Sequence, residues 1–198
     1  MPQGIRSSMS DLPEGYSITA AEQDDIPALI AVDKAASTLF EPTGLLQPEA
    51  LADHVPAHVF ETEIAAGNVF VARNQHNWAV GFALIGMRGN GLYLDQVSVN
   101  PDYGRKGIGR SLVIRVLTEA EIRKLPHVSL STFKTVPWNG PFYASMGFRE
   151  IPHEKLEPYM REIEDAQRPL MDVSERCFMR RKVRRALFRF GALKLESE

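Results

Sequence analysis

The chain has 198 residues, of which 44% are apolar and 24% charged, and its formal net charge is −2. This length favours one domain with a single filled core, and the charge balance is unlike that of a surface built to coat nucleic acid. A single cysteine cannot close an internal disulfide, no apolar run approaches the roughly 20 residues of a bilayer-crossing helix, and Met1 to Asp11 lacks the apolar stretch of a signal peptide; a cytoplasmic protein with no membrane partner is expected.

Residues 1–14 read as a loosely ordered lead, residues 15–182 as the folded domain and residues 183–198 as a basic tail. Tyr16-Ser17-Ile18-Thr19-Ala20 alternates like a half-buried strand. Asp24 or Asp25 can cap a helix with Pro27 in its first turn and Leu29, Ile30 and Ala36 as an apolar stripe. A second helical stretch begins near Pro48 and is interrupted at Pro56, which has no N–H to give an interior turn. It resumes over His58 to Ala66 and stops at Gly67.

Val69-Phe70-Val71-Ala72 and Val80 to Ile85 flank the turn-rich Asn74-Gln75-His76-Asn77 and predict a hairpin. Gly89-Asn90-Gly91 then turns the chain into a strand from Leu92 to Val99, which Pro101 ends. Beyond Gly107 the period changes: Ile108, Leu112, Val113, Val116, Leu117 and Ala120 recur at helical spacing, with Glu119 and Arg123 as an i,i+4 pair on the opposite side. Val128 to Phe133 predicts another strand, Phe142 to Met146 a short helix and Cys177-Phe178-Met179 a last strand. The order is mixed α and β, with early hairpins and one strand–helix–strand crossover.

The informative unit is the strand ending at Val99 followed by Gly104-Arg105-Lys106-Gly107-Ile108-Gly109-Arg110 at the start of a helix. Unpaired N–H groups and partial positive charge at a helix start attract anions. Gly107 and Gly109 carry no Cβ and admit a diphosphate close to the backbone, while Arg105, Lys106 and Arg110 add charge. Those residues specify a phosphate-bearing ligand. The dinucleotide pattern G-x-G-x-x-G fails, because Leu112 stands at the third glycine. The Walker A pattern places Arg110 where its phosphate-bridging lysine belongs and has no evident acidic partner strand downstream.

Val97-Ser98-Val99-Asn100-Pro101 with Arg105 to Leu112 closely resembles the acetyl-CoA loop of GNAT N-acetyltransferases, although Gly104 stands where that family usually has Gln or Arg. Asn139-Gly140-Pro141-Phe142-Tyr143-Ala144-Ser145-Met146-Gly147-Phe148, one strand later, resembles the family's second acyl-CoA segment. Trp138 to Tyr143 after Thr132-Phe133 is similar to an uncharacterised bacterial subgroup of that family.

The resemblance implies an α/β (α+β) GNAT fold: a mixed, mostly antiparallel twisted sheet of about six to seven strands flanked by helices, the fourth and fifth splayed to admit acetyl-CoA as co-substrate. It places Val97, Ser98, Val99, Arg105, Lys106, Gly107, Ile108, Gly109, Arg110, Asn139 and Phe142 against the cofactor. Asn139 would touch the pantetheine arm. Tyr143 would lie at the sulfur as general acid, and a backbone N–H at Val97 or a neighbour would meet the oxyanion. The reaction implied is direct attack of a neutral amine on the thioester. An amine of lysine-like pKa, about 10.4, is only about a thousandth neutral near pH 7.4, so a general base has a task. Asp95 is the preferred base, because burial among Leu94, Val97 and Val99 would raise its pKa; Glu41, His54, His58 and a water chain are alternatives. A non-catalytic acyl-CoA sensor is the alternative function.

Phe142, Phe148 and Trp138 are also expected to pack as aromatics. Cys177, in an apolar strand with no histidine nearby in sequence, reads as a buried structural thiol and not as an acyl carrier. The five histidines show no metal-ligand spacing, and no metal is expected. From Arg180 to Phe190 the chain is strongly basic, and Val183, Leu187 and Phe190 would form one helical stripe. The expected role is docking on the chain's own domain or on a second copy, as in a homodimer, with nucleic acid not expected as a partner. The acceptor, a small-molecule or peptide amine, is not legible in these motifs.

Overall fold

The structure, a computed structural model, describes residues 12–183; the first eleven residues and those from 184 onward, with Leu187 and Phe190 of the expected tail stripe, lie outside the described residues. In chain order the elements are β1 (Ser17–Ala20), α1 (Ile26–Ser37), α2 (Pro48–Ala52), α3 (Ala57–Ala65), β2 (Val69–Arg73), β3 (Ala79–Arg88), β4 (Gly91–Val99), α4 (Ile108–Ile122), β5 (His127–Phe133), α5 (Gly140–Ser145), β6 (Arg149–Glu150), α6 (Pro158–Gln167) and β7 (Arg176–Lys182). The described strands form one seven-stranded sheet in the order β1-β2-β3-β4-β5-β7-β6. Every neighbouring pair is antiparallel except β4 and β5. This is the mixed, mostly antiparallel sheet that the resemblance implies.

Both faces of the sheet are covered, so its central strands are apolar on both sides. Val69 and Val71 of β2 join Leu29 and Val32 of α1 and Phe60 of α3 in one cluster. Phe70 and Ala72, pointing the other way, join Ile108, Leu112, Val113 and Val116 of α4. A third cluster sets Tyr93 and Phe178 against Leu156 and Met160, at and within α6. The periodicity of α4 is as predicted: Ile108, Leu112, Val113, Val116, Leu117 and Ala120 are all buried. On its outer side Glu119 pairs with both Arg123 and Arg115 at 2.8 Å. Pro56 separates α2 from α3, and Gly67 follows α3 with φ +70°, where a Cβ would be strained.

Two irregularities shape the centre. The β3–β4 register passes from Leu84↔Gln96 to Ile85↔Leu94 and leaves Asp95 without a partner. Such a bulge reverses the alternation of side chains. Leu92 and Leu94 before it and Val97 and Val99 after it therefore all face the α4 core. The second irregularity is the separation of β4 from β5, which pair only at Leu92↔Val128 and Tyr93↔Ser129. β5 instead pairs with β7 along its whole length. The fourth and fifth strands thus splay as expected, and the cleft between them opens beyond Tyr93.

The chain after Phe148 differs from the sequence reading. The last strand is longer than Cys177–Met179, running from Arg176 to Lys182, and β6 and α6 precede it. Within α6, Pro158 opens the helix, buried Met160 and partly buried Tyr159 and Ile163 face the sheet, and charged residues fill the remainder. In α1 the buried stripe is Ile26, Leu29, Val32 and Asp33, while Ile30 and Ala36 are only partly buried.

Candidate active site

The glycine loop begins where β4 ends. Asn100 accepts from the Asp102 N–H through its side chain and starts a single 3-10 turn over Pro101–Tyr103. Arg105 and Gly107 then adopt left-handed φ values of +58° and +78°, which bend the backbone into α4. Gly107 is the residue before the helix and makes no side-chain cap. The first helical bond is Ser111 N–H to the Gly107 carbonyl at 2.9 Å. The N–H groups of Ile108, Gly109 and Arg110 therefore belong to the open first turn, where an anion is favoured. Ile108 is buried and anchors the turn, Arg105 and Lys106 are exposed, and Gly107, Gly109 and Arg110 are half-buried. Lys106 Nζ lies 5.0 Å from the centre of the Tyr103 ring, and Arg110 donates to Ser145 Oγ at 3.2 Å, tying the loop to α5. A loop of bare N–H groups with cations on its rim fits a pyrophosphate.

The open β4–β5 cleft leads to a cavity of about 520 Å³ whose lining includes Asp95, Gln96 and Val97 of β4, Leu130 to Phe133 of β5, and Asn139 and Tyr143 at α5. α5 is held against the end of β5 by Gly140: any Cβ there would collide with the carbonyl oxygens of Phe133 and Lys134. Asn139 donates Nδ2–H to Thr132 Oγ1 at 2.9 Å, and its buried Oδ1 has no partner among the described residues. An acceptor atom left in this state suits an amide N–H of a bound ligand. Tyr143 is 9% exposed, and burial pushes its phenol pKa up, with Arg176 acting weakly in the other direction. Its ring meets Phe142 and Phe148 edge-on at centroid distances of 5.0 and 5.7 Å.

Asp95 sits on the bulge beside the same cavity. Loss of solvent around the carboxyl raises its pKa to about 6; Arg88 opposes the rise and Glu63 adds to it. Arg88 is 4.0 Å away, and the Asp95 side chain keeps 31% exposure. Gly86 gives it room, because a Cβ at that position would stand 2.9 Å from Asp95 Oδ2. Of the other candidate bases, His54 lines the cavity, whereas Glu41 and His58 are exposed and lie outside its lining.

Ser98 is placed differently from Val97. Its hydroxyl is buried and donates to Asp33 Oδ1 at 2.7 Å, so its side chain is engaged and only its backbone is free to meet a ligand. Asp33, 3% exposed, also accepts from Gln96 Nε2 at 2.9 Å and from the Val55 N–H at 3.0 Å. It fastens α1, β4 and the segment before α3 into one wall of the cavity. Sequence reading missed this residue; the signal was a carboxylate within the apolar stripe of α1, one residue after Val32. It also missed Arg176, which lines the cavity from the start of β7. Trp138, expected to pack, is 44% exposed and meets Phe40 edge-on at 6.0 Å. Its position one residue before the turn into α5 leaves it on the rim. Cys177 is buried in β7, and burial pushes its thiol up to about 11, far from the range of an acyl-carrying thiolate. Among the described residues, no group of three or more His, Cys, Asp or Glu is placed to hold a metal ion, and no helix is long and apolar enough to cross a membrane.

Comparison with known proteins agrees with this geometry. Residues 65–150 match the family model described as an acetyltransferase (GNAT) domain. The fold is similar to that of PaiA N-acetyltransferase from Thermoplasma acidophilum, solved with coenzyme A, at 15% identity and a TM-score of 0.67 over 84% of this chain and 98% of that one. It is similar to the ribosomal-protein-S18-alanine N-acetyltransferase of Escherichia coli at 18% identity and a TM-score of 0.59, covering 89% and 99%. N-acetylglutamate synthase from Neisseria gonorrhoeae, solved with coenzyme A and N-acetyl-glutamate, matches at 19% identity and a TM-score of 0.64 over 86% of this chain and 35% of that longer one. The glycine loop, the bulged fourth strand and the parted β4–β5 pair all lie within the matched segment, and residues 65–150 are similar to an acetyltransferase (GNAT) domain.

Proposed function

We propose that the protein transfers the acetyl group of acetyl-CoA to a primary amine, by direct attack within a ternary complex. The observation that carries this reading is the convergence of Asp95, Val97, Asn139 and Tyr143 on one cavity at the parted β4–β5 pair. In this reading the first-turn amides from Ile108 to Arg110 take the pyrophosphate, with Arg105 and Lys106 at its edge. The pantetheine arm runs along Val97 to Val99, with its amide at Asn139 Oδ1 and Phe142 alongside.

Asp95, with a pKa near 6, is ionised at neutral pH yet basic enough to take a proton from the acceptor ammonium. The freed amine attacks the thioester carbonyl. The new C–N bond forms, a β4 N–H at or near Val97 stabilises the oxyanion, the C–S bond breaks, and the second proton, shed by the nitrogen as the amide forms, passes to the departing thiolate. Tyr143 keeps its proton across the physiological range, since burial raises its pKa. It is therefore a standing donor to the departing sulfur. A free thiol has a pKa of about 8.5, so the phenol shares its proton with the thiolate and does not surrender it outright. The proton taken by Asp95 passes to solvent through the open side of the cavity.

A cytoplasmic setting and a homodimer complete this reading; sedimentation of the full chain tests the second. The function itself is tested by acetyl-CoA-dependent thiol release against a broad amine panel with an amine-free control. Release well above the control with an amine is expected. Acetyl-CoA binding with no release on any amine would instead favour a non-catalytic sensor.

A further inference from the structure

The cavity holds one charge that the acetyl-transfer scheme leaves unused. Arg176 opens β7 and enters the cavity beside Tyr143, close enough for the two side chains to influence each other's ionisation. Its guanidinium stacks over the Phe133 ring at 4.7 Å. Nε and Nη2 both donate to Ser131 Oγ, at 3.2 and 3.1 Å. Ser131 Oγ in turn lies 3.5 Å from Gln167 Oε1. Stacking below and a shared hydroxyl at one edge fix the plane of the guanidinium and leave Nη1 uncommitted among the described residues.

Arg176 makes no ion pair among the described residues, although arginines elsewhere in this chain do so readily: Arg73 with Asp25, Arg123 with Glu119, and Arg180 with Glu157. Burial pulls the guanidinium's pKa below its ordinary value. A partly desolvated cation without a counter-charge is costly to keep, and guanidinium is the side chain best shaped to grip a carboxylate through two parallel N–H bonds. None of the four carboxylates lining the same cavity, Asp33, Asp53, Glu63 and Asp95, forms an ion pair with Arg176. Asp33 is hydrogen-bonded three ways, and Asp95 stands near Arg88.

Resting on the acetyl-transfer reading, we infer that Arg176 receives a carboxylate of the acceptor, so that the acceptor is an amino acid and not a polyamine or other carboxylate-free amine. The ammonium faces Asp95 and Glu63, and the carboxylate faces Arg176. The two ends of a zwitterion thus meet different charges lining one cavity. The product is an N-acetyl amino acid, which keeps the carboxylate for Arg176 while losing the charge that Asp95 attracted.

The test is calorimetric titration of the coenzyme A-saturated full chain with the twenty common L-amino acids and their primary α-amides, together with the carboxylate-free putrescine and spermidine, followed by thiol release from acetyl-CoA with the same set. At least one acid is expected to bind, and to turn over, at least tenfold better than its amide. In Arg176→Met, which keeps an apolar stem over Phe133, that ratio collapses towards one through KM, while KM for acetyl-CoA holds. Arg176→Lys restores part of the preference, and thermal melting confirms that both variants are folded. Amides or polyamines bound and turned over as well as the acids would overturn the inference and leave the transferase reading standing. Binding of an acid with no thiol release would uphold the carboxylate site and overturn that reading. Failure of every amino acid to bind would overturn the inference.

Discussion

At the scale of single residues, the site is a matter of what burial does to two acids. Asp95 gains its basicity because the β4 bulge turns it into a partly closed cavity, where its charged form loses water. In its proposed role as base it must be ionised, so kcat/KM should rise with pH through about 6, and that ascending limb should disappear in Asp95→Asn together with a fall of about 10²-fold or more; a pH–rate profile of both proteins reads this. The same shift has a stability sign. The folded pKa lies above the unfolded one, so the carboxyl's contribution is fully present below pH 3.8, is lost as pH rises towards about 6, and ends as a penalty at neutral pH. Asp95→Asn should therefore melt a few degrees above wild type at pH 8 and lose that advantage at pH 4, as thermal denaturation at the two pH values would reveal. Tyr143→Phe keeps the packing against Phe142 and Phe148 and removes only the donor. It should lower kcat by roughly 10- to 100-fold with KM for acetyl-CoA unchanged, because the hydroxyl acts on a sulfur that becomes charged only as the bond breaks.

At the scale of elements, the site exists because neighbouring strands part and helices are pinned to their ends. Gly107 carries the bend into α4 at φ +78°. Gly107→Ala should cost about 1–2 kcal/mol in stability and weaken acetyl-CoA binding, seen by chemical denaturation and by calorimetry. Asp33 holds α1 to β4 with bonds from Ser98, Gln96 and Val55. Asp33→Ala leaves those donors buried without an acceptor, and a loss of about 3 kcal/mol or more is expected, with a further fall in activity as that wall loosens; urea titration measures the first. The glycine loop and α4 were legible in the sequence because both are local: a change of period from two to 3.6 and a burst of glycines and cations within seven residues, Gly104 to Arg110. The parted strands were legible only through the resemblance to a family, since no residue at 92–99 announces where pairing stops. β6 spans just Arg149–Glu150, too short for a period, and the charged surface of α6 masked its stripe of Tyr159, Met160 and Ile163.

At the scale of the whole molecule, apolar clusters cover the two faces of one sheet. Val69 and Val71 secure the α1 and α3 side, and Phe70 and Ala72 the α4 side. Residues far apart in the chain then converge: Asp33 with Ser98, and Arg176 with Ser131, Phe133 and Tyr143. These convergences escaped the sequence reading because a lone aspartate in a helix and a lone arginine before a strand carry no spacing that points to a partner. Val183 closes the described chain by donating its N–H to the Pro126 carbonyl at 2.9 Å and packing against the α4 core.

The central claim, that this cavity performs acetyl transfer with Asp95 as its base, is tested most directly by following N-acetylated product by mass spectrometry. Wild type and Asp95→Asn would be compared with saturating acetyl-CoA and the best acceptor from the amine panel, with acetyl-CoA binding to both measured by calorimetry. The account predicts equal binding and product formation about 10²-fold or more slower in the variant. Equal rates in the two proteins, or no acetylated product from wild type with acetyl-CoA bound, would contradict it.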